Sequence, residues 1–179
     1  MMQTGDHTLV RIPTLRTERF VMRAPQPSDL EAFTAFRTSG RAVGVGGPYT
    51  REQAFESLCG VVGHWQIEGY GRWIIADADD IPLGIVGLSN SPDWPEPEIS
   101  WSVFAPAEGK GVAFEAAMAT RSYAYTVLGW PTVISCVSPD NIRSHALAKR
   151  MGATRDGSFV HDELGELLIH RHQPARHVA

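Results

Sequence analysis

Apolar and polar positions alternate in "RFVMRAP", the period of a strand with one buried face, and Pro25 and Pro27 end it. "SDLEAFTAFRTS" then places apolar residues at helical spacing, with Ser28 or Asp29 as its N-cap. A glycine-rich loop, "SGRAVGVGGPYT", leads to a second helical stretch, "TREQAFESLCGVVGHWQIEG". Thr50 is placed to cap it, and Ala54, Leu58, Val61, Val62 and Trp65 fall on or near one face. Three strand patterns follow, "RWIIADA", "PLGIVGLSN" and "EISWSVF", separated by the turn chemistry of "DADDIP" and "SPDWPEPE". A helix opens near Val112, carries Ala113, Ala116, Ala117, Ala124, Val127 and Leu128 at helical spacing, and ends at Gly129 and Pro131. "TVISCVS" is a short apolar strand, "PDNIRSHALAKRMGA" a capped helix ended by Gly152, and "ELLIHRHQ" a last strand. The order of strand, two helices, three strands, helix, strand, helix and one or two strands predicts one mixed α/β domain over residues 1–179, with a core of 14–172.

Composition narrows the function. A hydrophobic content of 43% suffices for a full core in 179 residues. The net charge of -4 leaves no basic field, which argues against nucleic acid or an anionic membrane as partner. "MMQTGDHTLVRIP" lacks a basic start followed by an apolar core, and no run approaches the ~18 apolar residues of a membrane span, so cytoplasmic residence is expected. Cys59 and Cys136 show neither CxxC spacing nor a histidine at metal-site distance. No disulfide framework and no metal site is expected, and both cysteines are read as buried small apolar residues.

The chemistry begins at "PAEGKGVAFEAAMATRSYAYTVLGWP". Gly109 and Gly111 can take backbone angles closed to other residues, and the helix behind them offers unpaired N–H groups and the positive end of its dipole. This makes an anion site, most often for phosphate. A nucleoside-triphosphate loop, GxxxxGK[ST], fails because Phe104 stands five before Gly109 and Gly111 follows Lys110. A dinucleotide fingerprint fails because Phe114 stands where its third glycine belongs. A shorter turn, "GKGVA", remains, able to hold a pyrophosphate against a helix N-terminus.

"GKGVAFEAA", followed after one strand by "NIRSHALAKRMGA", resembles the acetyl-coenzyme A motif and following helix of the GNAT N-acetyltransferase superfamily, in the branch of the ribosomal-protein N-terminal acetyltransferases. "LRTERFVMRAP", "GHWQIEGYGRWII", "PLGIVGL" and "WPEPEISWSVF" extend the resemblance over residues 14 to 170. It implies a mixed, mostly antiparallel twisted sheet flanked by helices, with the fourth and fifth strands splayed to admit a pantetheine arm. It further implies acetyl-CoA as cosubstrate and transfer to a primary amine, on a protein N-terminus or a small molecule, by direct attack in a ternary complex. The protein would be a monomer or homodimer. Backbone N–H groups of Ser102, Val103 and Phe104 would polarise the thioester, and Gly109, Lys110, Gly111, Val112 and Ala113 would hold the pyrophosphate. Glu108 departs from the pattern, being acidic where Gln or Arg is usual, and so must turn away. Ala148 stands where many members carry a tyrosine acid.

Acetyl transfer needs a neutral amine, a polarised carbonyl and support for the departing thiolate. Glu98 is the candidate base: alternation puts it with Ser100 and Ser102 on one face of its strand, although a solvated strand end would look the same. Asn141 opens the last long helix and Ser144 lies one turn on. They read either as an N-cap and an exposed serine or, by the resemblance, as coenzyme contacts with Ser144 near the sulfur. His64, and His161 with Asp162 and Glu163, fit packing or surface roles. Trp65, Tyr70, Trp73 and Trp94 fit core or cleft wall. Asp93, Glu96 and Glu98 form an acidic rim that either favours a cationic amine or is a solvated turn. The alternative to an enzyme is a catalytically inactive coenzyme A-binding sensor or interaction module.

Overall fold

The computed structural model describes residues 9–174; the start of "MMQTGDHTLVRIP", on which the leader reading rests, lies outside them. Eight strands, β1 (Leu15–Arg16), β2 (Val21–Arg23), β3 (Arg72–Ala76), β4 (Pro82–Ser89), β5 (Glu98–Val103), β6 (Val133–Val137), β7 (Thr154–His161) and β8 (Gly165–His172), form one sheet. Its order is β1-β2-β3-β4-β5-β6-β8-β7. Every neighbouring pair is antiparallel except β5 and β6. The α-helices among the described residues are α1 (Leu30–Arg37), α2 (Arg51–Glu68), α3 (Val112–Thr126) and α4 (Ile142–Arg150). The expected glycine-rich loop contains a 3₁₀ helix, Gly40–Val45.

The period-two pattern sorts the sheet's two faces. Met22, Trp73, Ile75, Val86, Leu88 and Ile99 pack with Ala116, Ala117 and Ala124 of α3. Ile74, Ile85 and Phe104 pack with Phe33 and Phe36 of α1 and Leu58 and Val61 of α2. Small alanines let α3 sit close to the strands, while α2 is anchored by Thr50, whose hydroxyl accepts the Gln53 N–H at 3.1 Å. The cap expected from Asp29 has another role. Its fully buried carboxylate takes two hydrogen bonds from Arg23, at 2.8 and 2.9 Å, and the Gln26 N–H at 2.7 Å, fixing α1 to β2.

One break in the ladder positions everything that follows. β5 and β6 pair only at Glu98 and Ile134, where the Ile134 N–H reaches the Pro97 carbonyl at 3.3 Å. Beyond that bridge the strands splay, as expected, with Ser135 Oγ donating to the Ile99 carbonyl at 2.7 Å near the vertex. The Phe104 N–H bonds to Leu83 O on the β4 side at 2.8 Å. By antiparallel alternation Ser102 also faces β4, and the N–H groups of Trp101 and Val103 face the gap. No helix among the described residues is long and apolar enough to cross a membrane.

Candidate active site

A cleft of ≈ 880 Å³ runs through the splay. Its floor on one side is the α3 N-terminus. Gly109 (φ 72°) and Gly111 (φ 76°) are both left-handed, the conformation that glycine alone adopts without strain. The first helical bond of α3 is Glu115 N–H to Gly111 O at 3.1 Å, so the N–H groups of Val112, Ala113 and Phe114 precede any helical acceptor. Arg19 buttresses this turn, pairing with Glu115 at 2.7 Å and donating to the Lys110 carbonyl at 3.0 Å. Glu108 does not leave the cleft but lines it, paired with Arg41 at 2.6 Å and with Arg143 on α4, and these two guanidiniums hold its carboxyl below the usual carboxylate range.

On the α4 side, Asn141 Oδ1 accepts the Ser144 N–H at 3.1 Å, an N-cap that also lines the cleft. Ser144 Oγ accepts the Trp101 indole N–H at 3.1 Å, which leaves the serine's own proton free to be donated. The α4 position facing the cleft one turn further on is Leu147, while Ala148 is fully buried. No tyrosine acid is available there.

Glu98 lies at the vertex, on the face turned to α1 and α2. Its Oε2 accepts the Cys136 N–H across the gap at 2.9 Å. Burial pushes its pKa up to about 7, against the opposing pull of the Cys136 N–H, the nearby Trp94 indole and the Arg72 charge. Burial likewise raises the Cys136 thiol well above its ordinary value, with Glu98 adding to the effect.

Of the expected binding residues, Ser102, Val103, Gly109, Gly111, Val112, Ala113, Asn141 and Ser144 line this cleft together with Glu98. Two do not. Phe104 spends its N–H on Leu83 and buries its ring against Phe36, at 5.8 Å between centroids. Lys110 stays exposed beside the cleft. Of the two readings of the acidic rim, the turn fits Asp93, which is exposed, while Glu96 is bound by both Arg171 amino groups at 2.8 and 2.7 Å and only Glu98 lines the cleft. Cys59 is exposed on α2 rather than buried, and Cys136 lines the cleft. His64 ties the Tyr70 carbonyl to the Asn90 backbone at the wall of the cleft, and no metal-holding cluster occurs among the described residues.

A family model for the acetyltransferase (GNAT) domain matches residues 19–154. The chain belongs to the GNAT acetyltransferase family. An acetyltransferase from Agrobacterium tumefaciens str. C58 is 34% identical with a TM-score of 0.84, over 96% of this chain and 100% of that one. RimL, a ribosomal L7/L12 alpha-N-protein acetyltransferase in complex with coenzyme A, shares the fold at 14% identity and a TM-score of 0.73, over 90% and 98%. The uncharacterized N-acetyltransferase YnaD of Bacillus subtilis (strain 168) is 38% identical over 63 residues, spanning 35% of this chain and 36% of its own length. The GNAT site of this chain fits acetyl-CoA on its own geometry: helix-end N–H groups suit a pyrophosphate, and the unpaired edge of β5 suits an amide-bearing arm. Sequence reasoning missed Arg37, Arg41, Arg72 and Asn90 as cleft residues; each sits at the end of an element, where no spacing rule singles it out.

Proposed function

We propose that this protein transfers the acetyl group of acetyl-CoA to a primary amine by direct attack within a ternary complex. The observation that carries the reading is the placement of Glu98 and Ser144 on opposite sides of the β5–β6 gap, a near-neutral carboxylate facing one half and a hydroxyl with a free proton facing the other. Acetyl-CoA supplies the acyl group as a thioester. The N–H groups of Gly111 to Phe114 and the side chain of Asn141 hold the coenzyme. The backbone N–H groups of Trp101 and Val103 bind the carbonyl oxygen as negative charge develops on it. Glu98 accepts the proton that the ammonium must lose, freeing the lone pair that forms the new C–N bond. As the C–S bond breaks, Ser144 donates a hydrogen bond to the sulfur, and the departing thiolate takes up the second proton, which the nitrogen sheds once the C–N bond has formed. The Cys136 thiol, held protonated by burial, is a poor nucleophile, which favours direct attack over an acyl-cysteine route.

Initial velocities over a grid of acetyl-CoA and amine concentrations test this, with thiol release as the signal and mass spectrometry of the acetylated product. Intersecting lines are expected. Parallel lines, or no acetylated amine from a broad panel, overturn the reading.

A further inference from the structure

Six arginines, Arg19, Arg23, Arg41, Arg51, Arg143 and Arg171, have a carboxylate within 4.0 Å. Arg37 and Arg72, which both line the half of the cleft facing α1 and α2, have none among the described residues. Arg37 is only 6% exposed. Its Nη1 donates to the Val45 carbonyl at 2.9 Å and its guanidinium stacks over Tyr49 at 3.8 Å, yet its Nε is buried without a partner. The half-buried Arg72 side chain makes no hydrogen bond among the described residues, and its charge is felt by Glu98. Arginine stays charged even where burial lowers its pKa, so two adjacent guanidiniums face the same space and repel each other. Only an anion offsets that cost.

Further buried polar atoms in the same space lack a partner among the described residues: the Arg37 Nε donor suits an anion, and the Asn90 Oδ1 acceptor suits an ammonium. Of four buried side-chain polar atoms without a partner among the described residues, Arg37 Nε, Asn90 Oδ1 and Trp94 Nε1 belong to residues lining this cleft; only His172 Nδ1 does not. Glu98 offsets the arginine charge only in part, because it forms no ion pair with either guanidinium and its Oε2 is taken by the Cys136 N–H. Cross-strand register puts Arg72, Gly87 and Ser100 in one row on one face, with Glu98 two residues along from Ser100. Gly87 leaves the floor between them bare. Two strand spacings and two residues separate the Arg72 and Glu98 backbones by roughly 12 Å, a span that their own long side chains shorten to the size of one small molecule.

We propose that Arg37 and Arg72 form a carboxylate-binding subsite, so that the acceptor is a small amine carrying its own carboxylate. Resting on the acetyl-transfer reading above, it orients a zwitterion: carboxylate toward Arg72 and Arg37, ammonium toward Glu98. A polyamine would bring positive charge against both guanidiniums.

The probes are free amino acids, including β- and γ-amino acids, each paired with its carboxamide, and spermidine. Each is measured by thiol release and, independently of turnover, by calorimetry on the coenzyme A-loaded protein. At least one acid is expected to exceed its carboxamide more than tenfold in kcat/KM and in affinity. Arg72→Gln should erase that preference without changing KM for acetyl-CoA, and Arg72→Lys should restore part of it; thermal melts of both variants check that the fold is kept. Equal use of acids and carboxamides by the native protein, a preference for spermidine, or a preference surviving in Arg72→Gln overturns the subsite. Acids that bind selectively yet are never acetylated sink the transfer reading and leave the subsite standing. Acetylated amines with no carboxylate preference do the reverse.

Discussion

Replacing Glu98 by glutamine should make the protein slower and, at alkaline pH, more stable. A carboxyl pushed up to about 7 is half ionised at pH 7. An amine of ordinary pKa 8 to 10.4 is at most about 10% neutral there, so a base is worth about 10²- to 10⁴-fold. Glu98→Gln should therefore lower kcat/KM at pH 7 by about 100-fold or more. The deficit should shrink about tenfold per pH unit toward the amine's own pKa, since the free amine then deprotonates unaided. Stability runs the other way. The folded state holds the Glu98 proton more tightly than the unfolded chain, whose ordinary value is 4.5, so the favourable contribution is complete below 4.5 and is lost as pH rises through 7. At about 1.4 kcal/mol per pH unit of difference, the ionised carboxylate costs at most about 3 kcal/mol, and Glu98→Gln removes that cost. Urea melts at pH 5 and pH 8, beside thiol-release kinetics from pH 6 to 10, measure both effects. Native kcat/KM at pH 7 in the variant refutes the base; identical pH dependence of the two melts refutes the burial argument.

Ser144→Ala should lower turnover about 10- to 1,000-fold with KM for acetyl-CoA nearly unchanged, at all pH values; full turnover in steady-state kinetics would return Ser144 to a helical serine that accepts the Trp101 indole. Cys136→Ala should keep kcat within a few-fold, since the thiol stays protonated; a loss beyond 100-fold would point to a covalent route. Gly111→Asp should weaken coenzyme A more than tenfold by calorimetry, because it adds charge at the helix end; it also strains a φ of 76° and crowds Arg19 at 3.1 Å, so circular dichroism must show the fold intact. Asp29→Ala leaves buried Arg23 with Asp80 as its remaining carboxylate and should cost about 3–5 kcal/mol in denaturant melts.

The parts of the fold that bury apolar residues were legible because burial imposes periodicity. "RWIIADA" and "PLGIVGLSN" became adjacent strands, and Ala54, Leu58, Val61 and Trp65 became the buried face of α2. β7 was only half anticipated because Thr154 to Ser158 are all exposed, so no alternation marks the strand until Phe159. β1 has two residues and offers no period at all. The α3 end of the cleft was readable for a different reason: left-handed turns demand glycine, and glycine is visible in a sequence. On the α1 and α2 side only Glu98 and Trp94, the latter read as core or cleft wall, were legible. Arg37 and Arg72 come from a helix end and a strand start, joined to them only by the tertiary fold. Of the N–H groups expected to polarise the thioester, only that of Val103 faces the gap, while those of Ser102 and Phe104 face β4, because which way a strand's amides point depends on its partner. The Phe104 bond to Leu83 sets that phase.

The wedge between β5 and β6 also bears on self-association. An unpaired strand margin on a protein's outside invites other chains to dock by backbone pairing, and proteins blunt such margins with charge, proline or bulges. Here the open donors of Trp101 and Val103 lie in the middle of the sheet, behind a vertex closed by Glu98, Ile134 and Ser135 and between the walls of a narrowing notch. A polypeptide strand, with side chains on alternate faces, is too bulky to follow them to the vertex, whereas a slender unbranched chain is not. The fold thus keeps a reactive backbone seam permanently unzipped for its cargo without exposing it to other molecules of its own kind.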